Sequence, residues 1–573
     1  MSEHKGINRR SLLKSGTVIG AGAAAMGMLS GAGFQAPAAQ AAPVPETWDM
    51  ETDVVVVGSA GTGLCAAVEA ADAGAEVIVV EKADHVGGLW IGAGGHAILG
   101  ATHVHERLGI EDHLEWWYED EMQENDHRGV PEIVRTYVEM GPDTAKWLEE
   151  RVGLVWADVT RSNPGHRVDR GLWPAPSDNY PEAGGWPRYA GIAWIVQLKK
   201  ALAEAGTEVL LNHRMTRLVR DGDGPVVGIE VDNEGTILNI KARRGVVLAS
   251  GGYADNAAFA ASWDPRLGAD IHPDGGGAPA EGPYNENTGD AHKAALEVGA
   301  SLTDMSFISF CPIKWGSKVY WVWAPRDWDR LPEAGPGGTG FTIAGDGFKR
   351  IILVRGNGKR YINESLGAES HTAEHPEKPF TAAYLNLPER PRNVWAITDA
   401  AGADAMGWDV GLFDDPDPET FPALYPDAVA KADSLAELAE KMGVDVEGFL
   451  ETVGRYNDDA QEGTDTEFGK PGPLFALVKR PFYAAKLCML RHTQPGGLRI
   501  NTKAQVLDRS ALFDDDAAVN GLSVDDQPVI PRLYAAGECT GFLGWRRTHG
   551  KLGNCATFGR IAGINAAAET PLE

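Results

Sequence analysis

Three closely spaced glycines, Gly58, Gly61 and Gly63, stand ahead of an acidic residue, Glu81. Glycine lets backbone N–H groups come close to a ligand, and the N-terminus of a helix favours negative charge. A carboxylate at the end of the next strand suits the hydroxyls of a ribose. The chemistry served by this spacing is dinucleotide binding, with pyrophosphate on the turn and ribose on the acid. The pattern departs from Gly-x-Gly-x-x-Gly in one respect. With Gly58 and Gly63 as the outer glycines, Ala60 takes the middle position and Gly61 is a spare.

Such residues need a strand, a turn, a helix and a second strand to hold them. Four valines, Val54 to Val57, read as a buried strand. Residues 64–73 are alanine-rich and read as a helix, and 76–80 as the second strand, which delivers Glu81 at its end. A second glycine-rich segment, Gly87-Gly88-Leu89-Trp90 with Gly92-Ala93-Gly94-Gly95, brings more backbone towards a ligand.

The bulk of the chain bounds the rest. Its 573 residues are 43% hydrophobic, enough for two or more domains. The net charge of −29 offers no basic surface excess and excludes nucleic acid as a partner. The segment Asn8-Arg9-Arg10-Ser11-Leu12-Leu13-Lys14 has a twin-arginine pattern. An Ala/Gly-rich run follows, then Ala39-Gln40-Ala41, a small-x-small cleavage site. Residues 1–41 therefore read as a cleaved leader. It sends a folded protein to a periplasmic or other extracytoplasmic space, where a partner would supply any attachment to the membrane. A cofactor inserted before export has to stay bound. The five cysteines form no C-x-x-C run, which argues against built-in haem, an iron–sulfur cluster or another metal centre.

Further along, 105–151 carries apolar residues at helical spacing, among them Trp116, Trp117, Tyr137, Trp147 and Leu148. Residues 171–190 are rich in proline and aromatic residues and read as a long loop. A helix over 192–205 comes next, then short strands at 209–211, 217–220, 226–231, 237–241 and 246–249, the last entering Ser250-Gly251-Gly252. Thr288-Gly289-Asp290 opens a helix over 291–298. Composition shifts near 305. We read 305–490 as an inserted α+β domain with two short strands and acidic helices over 434–460. The segments 45–304 and 491–573 make the two parts of a Rossmann-like α/β domain. In the second part a strand runs into Ala536-Gly537-Glu538, and Gly553-Asn554 begins the last helix. No second strand–glycine–helix–acid unit is present, so no separate NAD(P)H site is expected.

Taken with Glu81-Lys82, Thr288-Gly289-Asp290, Gly358-Lys359-Arg360-Tyr361-Ile362-Asn363-Glu364 and His492-Thr493-Gln494-Pro495-Gly496-Gly497, these segments resemble one flavoprotein family. It comprises fumarate reductase, succinate dehydrogenase, urocanate reductase and the 3-ketosteroid dehydrogenases. The resemblance implies an FAD-binding domain with an inserted substrate-capping domain, and FAD in an extended pose. Glu81 would hold the adenosine ribose with Lys82 nearby. Gly58, Ala60, Gly61 and Gly63 would cradle the pyrophosphate. Gly88, Leu89 and Gly95 would line the flavin side, and Met215 would meet adenine through its backbone. Asp290, Glu538 and Asn554 would complete the site, although Asp290 also suits a plain helix cap.

The departures bear on substrate. Where dicarboxylate reductases hold substrate with a histidine before a proline and an arginine after the R-[FY]-x-N-E run, this chain has Cys311 and Ala368. Only His492 of that clamp matches cleanly. Two carboxylates need bidentate arginines, so fumarate and succinate are not expected. Trp315, Tyr320, Trp321, Trp323 and Trp328 suit a flat apolar or aromatic enone or acrylate, or else core packing or a docking surface for an electron donor. The implied activity is reduction of an activated C=C bond. His492 would steady the enolate oxygen, and the proton would come from Arg547, His549, Tyr361, His371 or Glu369. Electrons would come from an external cytochrome or quinol-linked donor. The alternatives are a 3-ketosteroid-type dehydrogenase running the chemistry in reverse, and a flavin electron carrier.

Overall fold

The computed structural model describes residues 43–161, 165–175, 191–273, 287–306, 309–310, 314–315, 343, 345–367, 379–414, 428–512, 521–541 and 551–573. Residues 1–42, which hold the expected leader, and most of the aromatic cluster lie outside these residues.

The dinucleotide unit forms as its residues dictate. Strand β1 (Met50–Val57) ends in four valines that are 0–4% exposed, because both faces of the strand are covered. Helix α1 (Gly61–Asp72) follows, and strand β2 (Val77–Val80) lies parallel to β1. Helices α2 (Leu114–Glu124) and α3 (Pro131–Glu150) account for the helical spacing over 105–151, and Trp117 stacks edge-on against Tyr137 between them. Helix α4 (Gly191–Glu204) packs on α1.

The main sheet continues through β3 (Glu208–Leu210), β4 (His213–Arg220), β5 (Val226–Asn233) and β6 (Thr236–Leu248). Among the described residues it has eight strands. β6 lies beside β1, then β2, then β3, all parallel, and β4 and β5 branch from β6 as an antiparallel pair. On the other side of β6 the strand Val529–Ala535 runs parallel to it, with Gln505–Leu507 at the edge. So the chain's C-terminal part completes the sheet begun at its N-terminal part.

Several sequence-based expectations need correction. Residues 237–241 and 246–249 are one strand, β6. The polar run between them does not break it, because Arg243 pairs with Asp53 (3.0 Å) and Glu76. Residues 171–174 belong to a strand paired with Ala97–Ile98 and Trp156–Arg161 rather than to a loop, and 176–190 lie outside the described residues. The helix after Gly289 is α5 (Asp290–Glu297), with Gly289 as its cap in the left-handed region (φ 72°), so Asp290 is not the cap.

Within the compact unit Ala41–Glu573, the described segments between 343 and 489 build a second sheet. Ile352–Arg355, Val394–Asp399, Val429–Ala432 and Phe482–Cys488 join in an antiparallel sheet with Lys314–Trp315, which exceeds the two strands expected. The acidic stretch over 434–460 is two helices, α6 (Leu435–Met442) and α7 (Val446–Glu462), separated at Gly443, where φ is 63°. Their apolar faces meet Trp395, Ile352 and Phe482 in a core separate from that of the main sheet.

The last helix, α8 (Lys551–Ala568), packs on α1 and α3. Two of its glycines make this approach possible. A Cβ on Gly559 would lie 2.5 Å from the Thr62 carbonyl oxygen, and one on Gly563 would lie 2.2 Å from that of Ala66. The two helix backbones therefore touch at a seam that only glycine permits.

Candidate active site

Each glycine of the first turn has its own steric reason. Gly58 has φ 103°, and a Cβ there would sit 2.6 Å from the Ala249 carbonyl oxygen. A Cβ on Gly63 would lie 1.9 Å from the Gly58 carbonyl oxygen, which fixes the close entry of α1 against β1. The space beside Gly61 is taken by the Trp90 indole, whose ring would be 2.1 Å from a Cβ. Ala60 caps α1 without a side-chain hydrogen bond, and the first turn carries no acid. The N-terminal N–H groups of a helix have no intrahelical acceptor, so this end is shaped for an anion.

Glu81 stands at the end of β2, as its position in the sequence requires, and is buried. One oxygen, Oε2, accepts from the Ser59 N–H (2.9 Å) and hydroxyl (2.7 Å), and Oε1 accepts from the Ala83 N–H (2.9 Å). Ser59 Oγ in turn accepts from the Gly87 N–H (3.3 Å), tying the first glycine turn to the second. Gly88 opens a short 3-10 helix, Gly88–Gly92, that carries Leu89 and Trp90. Trp90 meets Trp194 edge-on, and the Trp194 N–H donates to the Gly95 carbonyl (2.8 Å). The sequence reading missed this tryptophan pair, whose partners lie on separate elements.

Lys82 and Asp290 do come together. Lys82 Nζ donates to Thr288 Oγ1 (2.8 Å) and reaches Asp290 (3.4 Å). Arg214 (3.0 Å) and Lys293 (2.8 Å) also bind Asp290. Burial opposes its ionisation, but these three cations hold its carboxyl well below the usual range. Met215, beside Arg214 on β4, is buried and paired through its backbone with Val231.

Glu538 lies in a one-turn 3-10 helix after the strand Val529–Ala535. A Cβ on Gly537 would be 2.7 Å from the Thr62 hydroxyl, so Glu538 is held close to the start of α1. Its carboxylate accepts the Gln494 N–H (2.9 Å). Asn554, near the start of α8, is 7% exposed. The buried polar atoms without a hydrogen-bond partner among the described residues include Ser250 Oγ, Asn287 Nδ2, Gln494 Nε2 and Asn554 Oδ1. Ser250, Asn287 and Gln494 gather at the Ser250-Gly251-Gly252 turn. A Cβ on Gly251 would be 2.5 Å from Asn287 Oδ1, and one on Gly252 would be 1.9 Å from Gln494 Oε1. Buried polar groups are nearly always paired, so this collection is built for a polar ligand.

The proposed catalytic residues are less completely placed. His492 lies on the strand Leu490–Thr493, between His272–Pro273 and Ser309–Phe310, and its side chain is outside the described structure. Arg547, His549, His371, Glu369, Cys311 and Ala368 also fall outside it. Tyr361 is half-buried, with its hydroxyl sealed off and unpaired among the described residues. Burial, reinforced by Tyr384 and Glu364, holds its pKa well above the usual phenol range, so it is a weak proton donor. Next to it is a charge network that the sequence reading did not foresee. Arg360 binds Glu364 through two bonds (2.9 and 2.8 Å) and Asp465 through two more (both 2.9 Å), and Lys470 stands 3.4 Å from Glu364. All four side chains are almost fully buried.

A third cluster draws two of its residues from α2. Glu121, Glu124 and His166 hold their ligand atoms within 4.8 Å of one another, a spacing that suits a metal. Arg170, however, stands 3.3 Å from His166 Nδ1 and binds Asp120 and Asp112, so the charge is balanced internally. Burial pushes Glu121 up to about 7. Burial works against a charged His166, but its bond to Glu124 and the nearby carboxylates win and hold its pKa above the usual value.

The uncapped helix end, the strand-end carboxylate and the unpaired polar atoms fit an extended dinucleotide. The FAD binding domain family matches residues 53–551. The chain belongs to this family. Its cofactor is FAD and the protein is an FAD-dependent oxidoreductase. It is 30% identical over 537 residues to urocanate reductase of Eggerthella lenta, covering 91% of this chain and 76% of that protein. It is 28% identical to 3-oxosteroid 1-dehydrogenase of Mycolicibacterium smegmatis, covering 90% and 97%. The open conformation of a flavocytochrome c3 fumarate reductase superposes with a TM-score of 0.63 at 29% identity, covering 91% of this chain and 78% of that one.

Proposed function

We propose that the protein reduces an activated C=C bond of an enone or acrylate, and that fumarate is not its substrate. The observation that carries this reading is an FAD cradle in a chain whose sequence has Cys311 and Ala368 at the positions where dicarboxylate reductases hold substrate. Similarity to urocanate reductase and to 3-oxosteroid 1-dehydrogenase supports an unsaturated, planar substrate. When bound, FAD supplies hydride chemistry. The chain's own residues hold and orient it: Glu81 at the ribose, the N-terminus of α1 at the pyrophosphate, Glu538 and Asn554 further along. His492 donates to the carbonyl oxygen as negative charge develops there, and Arg547 or His549 supplies the proton.

The twin-arginine segment supports export of the folded holoprotein, and electrons then come from an external cytochrome or quinol-linked donor. Anaerobic, dithionite-reduced enzyme should be reoxidised, seen as return of the visible flavin band, by an enone or acrylate from a panel of steroids, cinnamates and urocanate. Rapid reoxidation by fumarate overturns the reading. The high coverage of the steroid dehydrogenase favours a second reading, desaturation of a saturated ketone. Bleaching of the oxidised enzyme by such a ketone would select it.

A further inference from the structure

We propose that Gln494 donates a hydrogen bond from its side-chain amide to the N1–C2=O edge of the FAD pyrimidine ring and thereby raises the flavin's reduction potential. Gln494 is 1% exposed. Its Oε1 accepts two backbone N–H groups, from Tyr253 (2.8 Å) and Ala254 (3.1 Å). Those donors fix the orientation of the amide, because turning it over would set N–H against N–H. Nε2 therefore points away from them, buried and without an acceptor among the described residues. Leaving a buried donor unmet is costly, so an acceptor is expected there.

The order of groups along the site says which part of FAD supplies it. The N-terminus of α1 is the pyrophosphate end. Glu538 adjoins it through Gly537 on Thr62, and its carboxylate suits ribityl hydroxyls. Gln494 comes next, joined to Glu538 by its own N–H. His492, the residue expected at the substrate, precedes Gln494 in the same segment. FAD runs pyrophosphate, ribityl, ring, substrate, so the amide falls at the ring. A donor at N1–C2=O stabilises the negative charge of the reduced ring. It is also compatible with the absence of a side chain at Gly252, where a Cβ would collide with the amide.

The test uses the purified holoprotein. Gln494→Glu keeps the acceptor for Tyr253 and Ala254 and replaces the donor by an anionic oxygen. FAD content is read first, from absorbance, so that loss of the cofactor is distinguished from failure of this proposal. By anaerobic dye equilibration, Gln494→Glu should favour oxidised flavin at least tenfold, ~30 mV for a two-electron couple. An unchanged potential overturns the proposal, as a buried water would then satisfy Nε2. Weaker FAD binding with an unchanged potential also overturns it, placing the donor on the ribityl chain. The C2=O stretch of wild-type holoprotein needs no variant. It should lie below that of FAD in a non-hydrogen-bonding solvent, and an unshifted band overturns the assignment.

Discussion

Around Arg360, the buried charges of Glu364, Asp465 and Lys470 face opposite charges. Around the Ser250-Gly251-Gly252 turn, Ser250 Oγ, Asn287 Nδ2 and Gln494 Nε2 are buried and face no partner among the described residues. Both regions pay the desolvation cost of burying polar groups, but only the first recovers it within the chain. The first is a fastener that holds the Gly358–Glu364 segment to the turn at Asp465. In the reading proposed above, the second is half of an interaction whose other half is the cofactor. Polarity and burial alone would have ranked the two alike. Satisfaction of the hydrogen bonds separates structure from binding.

The sharpest way to break this contrast is Arg360→Met. It strands Glu364 and Asp465 with Lys470 as the remaining cation, and should cost about 3–5 kcal/mol in thermal or denaturant unfolding. The folded fraction should still carry its full FAD. Loss of FAD with stability intact would place the network in the cofactor site. Next in size is Gly63→Ala, whose methyl would enter the Gly58 carbonyl. We expect about 2–3 kcal/mol of destabilisation and loss of bound flavin together, read as the ratio of visible to ultraviolet absorbance. Retention of FAD at wild-type level would show that the turn has room that its geometry denies.

Asn554→Leu acts on the unfinished side of the contrast. It should weaken FAD by roughly tenfold, about 1.4 kcal/mol, in a titration of apoprotein, while apoprotein stability holds or rises, since an unpaired buried oxygen is removed. A fall in apoprotein stability would mean that Asn554 is already satisfied without the cofactor. The smallest effect concerns Glu121. Its folded pKa is raised, so its contribution is fully present below the unfolded glutamate value of 4.5 and is lost as pH rises through about 7. His166, also raised, loses its contribution in the same direction as pH climbs past 6.5. Relative to wild type, Glu121→Gln should gain stability between pH 5 and pH 8, seen as a pH-dependent difference in Tm. A pH-independent difference would show that Glu121 is ionised throughout.

The two regions also differ in how legible they were. The glycine turn, α1, β2 and Glu81 could be read from sequence because their interactions are local: a strand, its turn and the helix it feeds. Gly58 and Gly63 announce themselves by spacing. The partners of Arg360 were not legible, because Asp465 and Lys470 lie far along the chain and only folding brings them near. β6 was read as two strands because Arg243, Arg244 and Gly245 look like a break. Asp53 on β1 and Glu76 just ahead of β2 supply the missing reason. Asp290 looked like a cap or a cofactor contact, and the three cations around it come from β2's end, β4 and its own helix. Gln494 was visible as part of a motif, but its unpaired amide is a property of three dimensions.

The seam between α1 and α8 sets a timetable. The helix that begins at the dinucleotide turn lies against Gly559 and Gly563, and Asn554 rides on the same late helix. A ribosome therefore releases the first half of the cradle long before its last wall exists. On the reading proposed above, cofactor capture waits for α8, and a chain truncated before it should emerge colourless.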